Sequence, residues 1–183
     1  MRAVRNSALV VGSSLAIAAG ASAQDAVQWR VEDGGNGHWY QVDTMQSVWT
    51  AARVRALAVG GDLASFETAE EAAWLFPLLP IATYGYLIGG RQDVGAAAPD
   101  QGWRWLTGAE ISPTLLIADD NPCGVFPAGV EDGQQDFLHL YDPTSPTPYG
   151  DINDSGTCTL LLRSIIEWSA DCNADGIVDY GQI

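Results

Sequence analysis

Two hydrophobic periods follow one another along the chain. Val27-Gln28-Trp29-Arg30-Val31 alternates apolar and polar residues and predicts a strand. His38-Trp39-Tyr40-Gln41-Val42 predicts a second strand, and Gly34-Gly35-Asn36-Gly37 between them predicts a hairpin turn. The period then lengthens. Trp49, Ala52, Ala56 and Leu57 recur at helical spacing, with Arg53 and Arg55 off the stripe, so a helix is expected to turn Trp49 and Leu57 toward the sheet. Gly60-Gly61 ends it. After a short extended stretch, "GDLASFET", Thr68-Ala69-Glu70-Glu71 forms a capping box. It opens a second helix carrying Ala72, Trp74 and Leu75, which stops at Pro77.

The second half is built differently. "YGYLIGG", "WRWLTG", "DFLHLY" and "LLRSIIEW" are short, aromatic or β-branched, and read as strands. Trp103 and Trp105 alternate, so both face one side of the sheet. Between these strands lie an irregular stretch, residues 112–135, and the Pro- and Asp-rich "DPTSPTPYGDINDSGTC". A loop of that length inside a compact domain is usually functional or disordered. Helices early and short strands late give an α+β class.

Composition adds location. Eight basic residues, all Arg, face 23 acidic ones. Arg2 and Arg5 precede the apolar run Ala8 to Ala19, and Ala21-Ser22-Ala23 offers a signal-peptidase site before Gln24. Residues 1–23 are therefore expected to be a cleaved signal peptide, with an N-terminal anchor as the other reading; the run is short for a membrane span of roughly 20 residues. Removal would leave 6 basic and 23 acidic residues, a formal charge of −17. Such a surface repels phosphate, so nucleic acid and anionic membrane are not expected partners. Export favours disulfides. Cys123 and Cys158 share the second half of the domain and are the expected pair, leaving Cys172 over.

Little in the sequence points to catalysis. There is no G-x-S-x-G, no H-E-x-x-H and no phosphate-binding glycine loop. The absence of Lys excludes a lysine Schiff base. His38 and His139 sit in strand-like runs and read as surface or core-edge residues. The chain is expected not to be an enzyme.

In order and spacing, the segments resemble a C-type lectin-like domain over Trp29 to Trp168. The resemblance rests on "HWYQV", "WTAA", "GGDLASF", "ETAEEAAWL", "YGYLIGG", "WRWLTG" and the closing "IIEW". It implies two helices packed on small antiparallel sheets with a long irregular loop, in a domain spanning residues 27–168. It also implies recognition of a glycan or protein ligand through that loop. In sugar-binding members a calcium ion is held by oxygen ligands from a W-x-x-G-E-P-N stretch and a W-N-D triplet. Here the first meets Phe126 to Asp132, with Val130 at the Glu position, Glu131 at the Pro position and Asp132 at the Asn position. A shift of one residue would bring Glu131 to the carboxylate. The second meets Ile152-Asn153-Asp154. The resemblance therefore makes Glu131, Asp132, Asn153 and Asp154 the ligand candidates, the last three also metal candidates, and calcium the expected cofactor. The same acids suit solvated turn positions equally well. Cys158 stands where the family places a half-cystine, but the usual partner column meets Phe137. A Cys123–Cys158 bridge would instead tie the loop to the next strand. The Trp residues read as core, with any exposed member free to stack on a sugar ring.

Residues 169–183 form an appended tail. Asp171, Asn173 and Asp175 match positions 1, 3 and 5 of an EF-hand loop, Gly176 the turn, Ile177 the carbonyl at position 7 and Asp179 position 9. Gln182 stands where a bidentate acid belongs. The stretch resembles one repeat of a dockerin-like module, which implies a partial calcium loop or a docking tail. The alternative function is then a non-catalytic scaffold whose tail attaches to a surface partner.

Overall fold

The computed structural model describes residues 26–80, 82, 85–97, 101–112, 114, 116, 117, 136–141, 144, 148–152 and 161–169. Nine strands and two helices are seen among them: β1 Val27–Gln28, β2 Trp39–Ser47, α1 Trp49–Ala58, β3 Asp62–Leu63, α2 Ala69–Leu75, β4 Tyr86–Gln92, β5 Trp103–Trp105, β6 Leu116–Ile117, β7 Phe137–Leu140, β8 Tyr149–Ile152 and β9 Leu162–Trp168. The sheet runs β1-β2-β9-β4-β7-β8-β6, with β3 added to β9 and β5 to β4. Antiparallel pairing dominates, but β4–β9 and β6–β8 are parallel, so the sheet is mixed. This is an α+β architecture with both helices packed against the sheet.

The hairpin forms as expected: β1 pairs with β2 through Val27↔Tyr40 and Gln28↔Trp39. Its turn is tighter than the alternation suggests. The carbonyl of Arg30 accepts from both Asp33 and Gly35, so Val31–Asp33 winds into a 3₁₀ turn instead of prolonging β1. Gly35 must be glycine here, because a Cβ would lie 2.4 Å from the Trp29 carbonyl oxygen.

α1 buries Trp49, Ala52 and Ala56 but leaves Leu57 53% exposed, contrary to the expected stripe. At about 100° per residue, Leu57 has turned away from the Ala52–Ala56 line. That line is made of small residues, and the indole N–H of Trp49 donates to the Ile88 carbonyl of β4 at 2.7 Å. α2 is capped by Thr68, whose hydroxyl accepts from the Glu71 N–H at 3.1 Å. It gives way at Phe76 to a 3₁₀ turn containing Pro77.

β9 divides the core. Ile165 joins a cluster with Tyr40, Ile88, Trp105 and Leu138, while Ile166 joins one with Trp49, Leu63, Leu87 and Trp168. Five of the seven Trp are buried, and Trp39 and Trp74 are partly buried against these clusters. The Trp residues are therefore packing elements. Trp103 and Trp105 are both 3% exposed on one side of β5, as their alternation predicts. His139 is 1% exposed, so it is interior and not at an edge. Leu138 and Leu140 beside it are also buried, which marks β7 as covered on both faces.

β6 and β8 fall inside the two stretches that the sequence presents as irregular. Leu116–Ile117 is only two residues long, and Tyr-Gly-Asp-Ile has no apolar alternation. Their pairing is supplied by neighbours: β8 lies on β7 through Phe137↔Ile152, and β6 on β8 through Ile117↔Gly150.

Candidate functional site

Three titratable side chains from distant parts of the chain converge beside the hairpin. His38 stands at the entry to β2, Glu71 on the first turn of α2, and Glu167 near the end of β9. Their ligand atoms all lie within 4.8 Å of one another. The β2–β9 ladder creates half of this convergence, since Tyr40↔Glu167 and Trp39↔Trp168 are register partners. The Thr68 cap starts α2 at this point, and Tyr40 and Asn36 hold the Glu71 side chain inward.

Each carboxylate has one oxygen tied to backbone. Glu167 Oε2 accepts from the Ser65 N–H at 2.8 Å, and Glu71 Oε2 from the Glu67 N–H at 3.1 Å. In a capping box Glu71 would reach back to Thr68; here it reaches one residue further. Its other oxygen, Oε1, accepts from the Tyr40 hydroxyl and from Asn36 Nδ2 at 3.2 Å. His38 Nδ1 meets Glu167 Oε1 at 2.6 Å, and Asn36 Oδ1 accepts from the His38 N–H at 2.9 Å. The hairpin turn thus positions both the imidazole and the amide beside it.

Glu71 is 2% exposed and Glu167 7%, whereas the His38 side chain is 26% exposed at the rim. Burial alone would lower the His38 pKa. The hydrogen bond and charge of Glu167, with Glu71 and Glu67 adding, outweigh it and hold the pKa above its ordinary value. Burial raises the Glu71 carboxyl; the Tyr40 hydrogen bond opposes this, the Glu167 charge adds to it, and the net shift is upward. Burial likewise pushes the Tyr40 phenol up, so its proton stays on oxygen and is donated to Glu71. The three groups border a cleft of about 530 Å³ that also touches Trp29, Asn36 and Glu67. This cluster has the donor chemistry to chelate a divalent ion.

The sequence-based candidates lie elsewhere. Glu131, Asp132, Asn153 and Asp154, the tail residues Asp171, Asn173, Asp175, Ile177 and Asp179, and all three cysteines, Cys123, Cys158 and Cys172, fall outside the described residues. The expected disulfide involves none of the described residues. Sequence reasoning missed the His38–Glu71–Glu167 cluster. The signal that could have shown it is Glu167, a lone acid between Ile166 and Trp168 in an apolar strand.

No protein-family model matches the chain, and no curated protein is similar to it in sequence. Solved structures do share its fold. The C-type carbohydrate-recognition domain of cow CD23 superposes with a TM-score of 0.57 at 15% identity, covering 81% of this chain and 96% of that one. A Ca2+-dependent type II antifreeze protein in its Ca2+-free form gives 0.54 at 18% identity, over 79% of this chain and 97% of the other. The Ca2+-independent C-type lectin SPL-2 from Saxidomus purpuratus gives 0.52 at 17% identity, over 74% and 88%. The protein therefore has a C-type lectin-like fold. That fold occurs with and without calcium dependence, so the metal question must be answered from this chain's own residues. Among the described residues no helix is long and apolar enough to cross a membrane.

Proposed function

We propose that this chain is an exported, non-catalytic binding module that takes a glycan or protein ligand at the β6–β7–β8 end of its sheet, with calcium bridging protein and ligand. The observation that carries this reading is strand register. Phe137↔Ile152 pairs the start of β7 with the end of β8, and Ile117↔Gly150 lays the end of β6 beside them. Ile117, Phe137 and Ile152 therefore share one end of the ladder. Residues 118–135 connect the first two in sequence, and residues 153–160 begin at the third. Asn153 follows Ile152 directly. Asp132 precedes Phe137 by a stretch of chain that spans at most about 17 Å when extended. Chain connections of this length allow Glu131, Asp132, Asn153 and Asp154 to converge on one ion, and hard oxygen donors of this kind suit calcium.

Export rests on the pattern of residues 1–23. The partial loop from Asp171 to Asp179 supports a second reading, attachment to a surface or scaffold partner through the tail; deletion of residues 171–183 should then abolish partner capture, and capture that survives removes that reading. No comparison finds a dockerin- or EF-hand-like module. Glycan-array binding of the mature chain, with and without chelator, tests the first reading. Calcium-dependent binding that disappears in Asn153→Ala and Asp154→Ala supports it. Absence of glycan binding in both conditions removes the carbohydrate version and leaves a protein ligand.

A further inference from the structure

We propose that the apolar cavity between β2, β9 and the end of α2 binds a small monocarboxylate of the medium-chain fatty acid class, with Arg163 anchoring the carboxylate. The cavity measures about 260 Å³. Val42 of β2 and Ile165 of β9, which are register partners, line it from the sheet. Leu75 at the end of α2, followed by Leu78, Leu79 and Pro80, lines it from the other side. Val27 and Leu78 are its exposed apolar residues, at 39% and 53%.

Charge complementarity is the first argument. The chain carries 23 acidic and 8 basic residues, and the cleft beside His38 is lined by Glu67, Glu70, Glu71 and Glu167. The apolar cavity is lined by no acid, and its one charged residue is Arg163. Tyr40 stands between the two, lining the apolar cavity while its hydroxyl donates to Glu71. Arg30, Arg53, Arg55 and Arg104 each pair with an Asp or Glu. Among the described residues no such ion pair is seen for Arg163. Its guanidinium donates to the hydroxyl of Tyr86, its register partner on β4, and that hydroxyl donates to the Pro80 carbonyl. A neutral partner positions the guanidinium but does not balance its charge. Further N–H donors remain for an anion.

Size and lining are the second argument. Pockets for drug-sized ligands run from about 300 to 1,000 Å³, so this cavity takes a smaller molecule. One guanidinium matches one carboxylate, which it can hold through two parallel hydrogen bonds. The leucine-rich wall favours a methylene chain. A sugar would lose water from its hydroxyls and find few polar side chains, Gln41 and Thr44 among them, to replace it. The inference does not depend on ligand recognition at the β6–β8 end, so either can fail alone.

The test is calorimetric titration of sodium octanoate into the mature chain beginning at Gln24. The expected result is one octanoate per chain. Hexanoate should bind roughly tenfold more weakly, because two fewer methylenes are buried. Arg163→Gln should lower octanoate affinity at least about tenfold by removing a charge-assisted pair. The same variant should bind 1-octanol, which has no carboxylate, as the parent does. Leu78→Glu puts a like charge at an exposed position of the lining and should also lower octanoate affinity at least about tenfold. Its exposure keeps the test valid should Arg163→Gln fail to fold. Arg91→Gln, exposed on β4, should leave octanoate affinity unchanged. Octanoate binding that is unaltered in Arg163→Gln or in Leu78→Glu, or matched by hexanoate, overturns the proposal. Absence of octanoate binding also overturns it. Binding that then appears in a chain beginning at Ala26 would assign the cavity to Gln24 and Asp25 of this same chain.

Discussion

The two ends of the sheet assemble chemistry in different ways. At the β1–β2–β9 end, three reactive side chains come from positions 38, 71 and 167 and meet through strand register and a helix cap. At the β6–β7–β8 end, the candidate residues sit in two short runs, Glu131-Asp132 and Asn153-Asp154, and the sheet contributes only the closeness of their anchors. The first site exists solely because the chain folds. The second is written locally and needs the fold as a frame. A motif search finds sites of the second kind and passes over the first.

This contrast orders the predictions. Trp105→Ala strikes the frame that both ends share, because Trp105 packs edge-on to Phe66 and Tyr149 in the larger core cluster. It should cost about 3–5 kcal/mol in urea unfolding and weaken ligand binding with it. Unfolding stability that is unchanged in this variant would show that Trp105 is not part of that frame.

Glu167→Ala separates the ends. It leaves the buried Ser65 N–H without its acceptor and His38 without its partner. The expected cost is about 1–3 kcal/mol. Ligand binding at the β6–β8 end should survive in whatever fraction stays folded.

The pH dependence carries the same signature. Both His38 and Glu71 have folded pKa values raised above their ordinary ones. Each therefore adds stability that is complete below its unfolded pKa and is lost as pH rises through the folded value. Stability should decline as pH rises above the ordinary values of about 4.5 for Glu71 and about 6.5 for His38. His38→Gln should remove the upper part of that decline and leave the lower. An unchanged profile would contradict the assignment of the raised pKa to His38.

The smallest effect belongs to Arg53, whose guanidinium makes two hydrogen bonds of 3.0 Å to Asp62 between α1 and β3. The pair is about one-third exposed on each side. Arg53→Ala should cost only about 0.2–1 kcal/mol and shift binding at neither end.

What could be read in the sequence follows from the same contrast. The hairpin, both helices and strands β3, β4, β5, β7 and β9 carry their own periodicity or punctuation. β6 and β8 do not, because their hydrogen bonds come from partners chosen by the fold. Leu57 was expected in the core because it is apolar at a nearly correct spacing; the small-residue face of Ala52 and Ala56 decides the rotation of α1 instead. Glu71 was legible as a helix cap but not as a site member, since its inward turn depends on Tyr40 and Asn36. His38 read as an edge residue, and it is one, but its neighbour across the sheet is Glu167.

Calcium titration by calorimetry tests the central claim, a ligand-binding calcium centre at the β6–β8 end that is independent of the buried cluster. It would be run on the mature chain, on the Asn153→Ala, Asp154→Ala double variant, and on His38→Gln, each truncated at Trp168 to exclude the tail. The account predicts a calcium heat that persists in His38→Gln and disappears in the double variant. A calcium heat that survives the double variant, or is lost in His38→Gln, would contradict it.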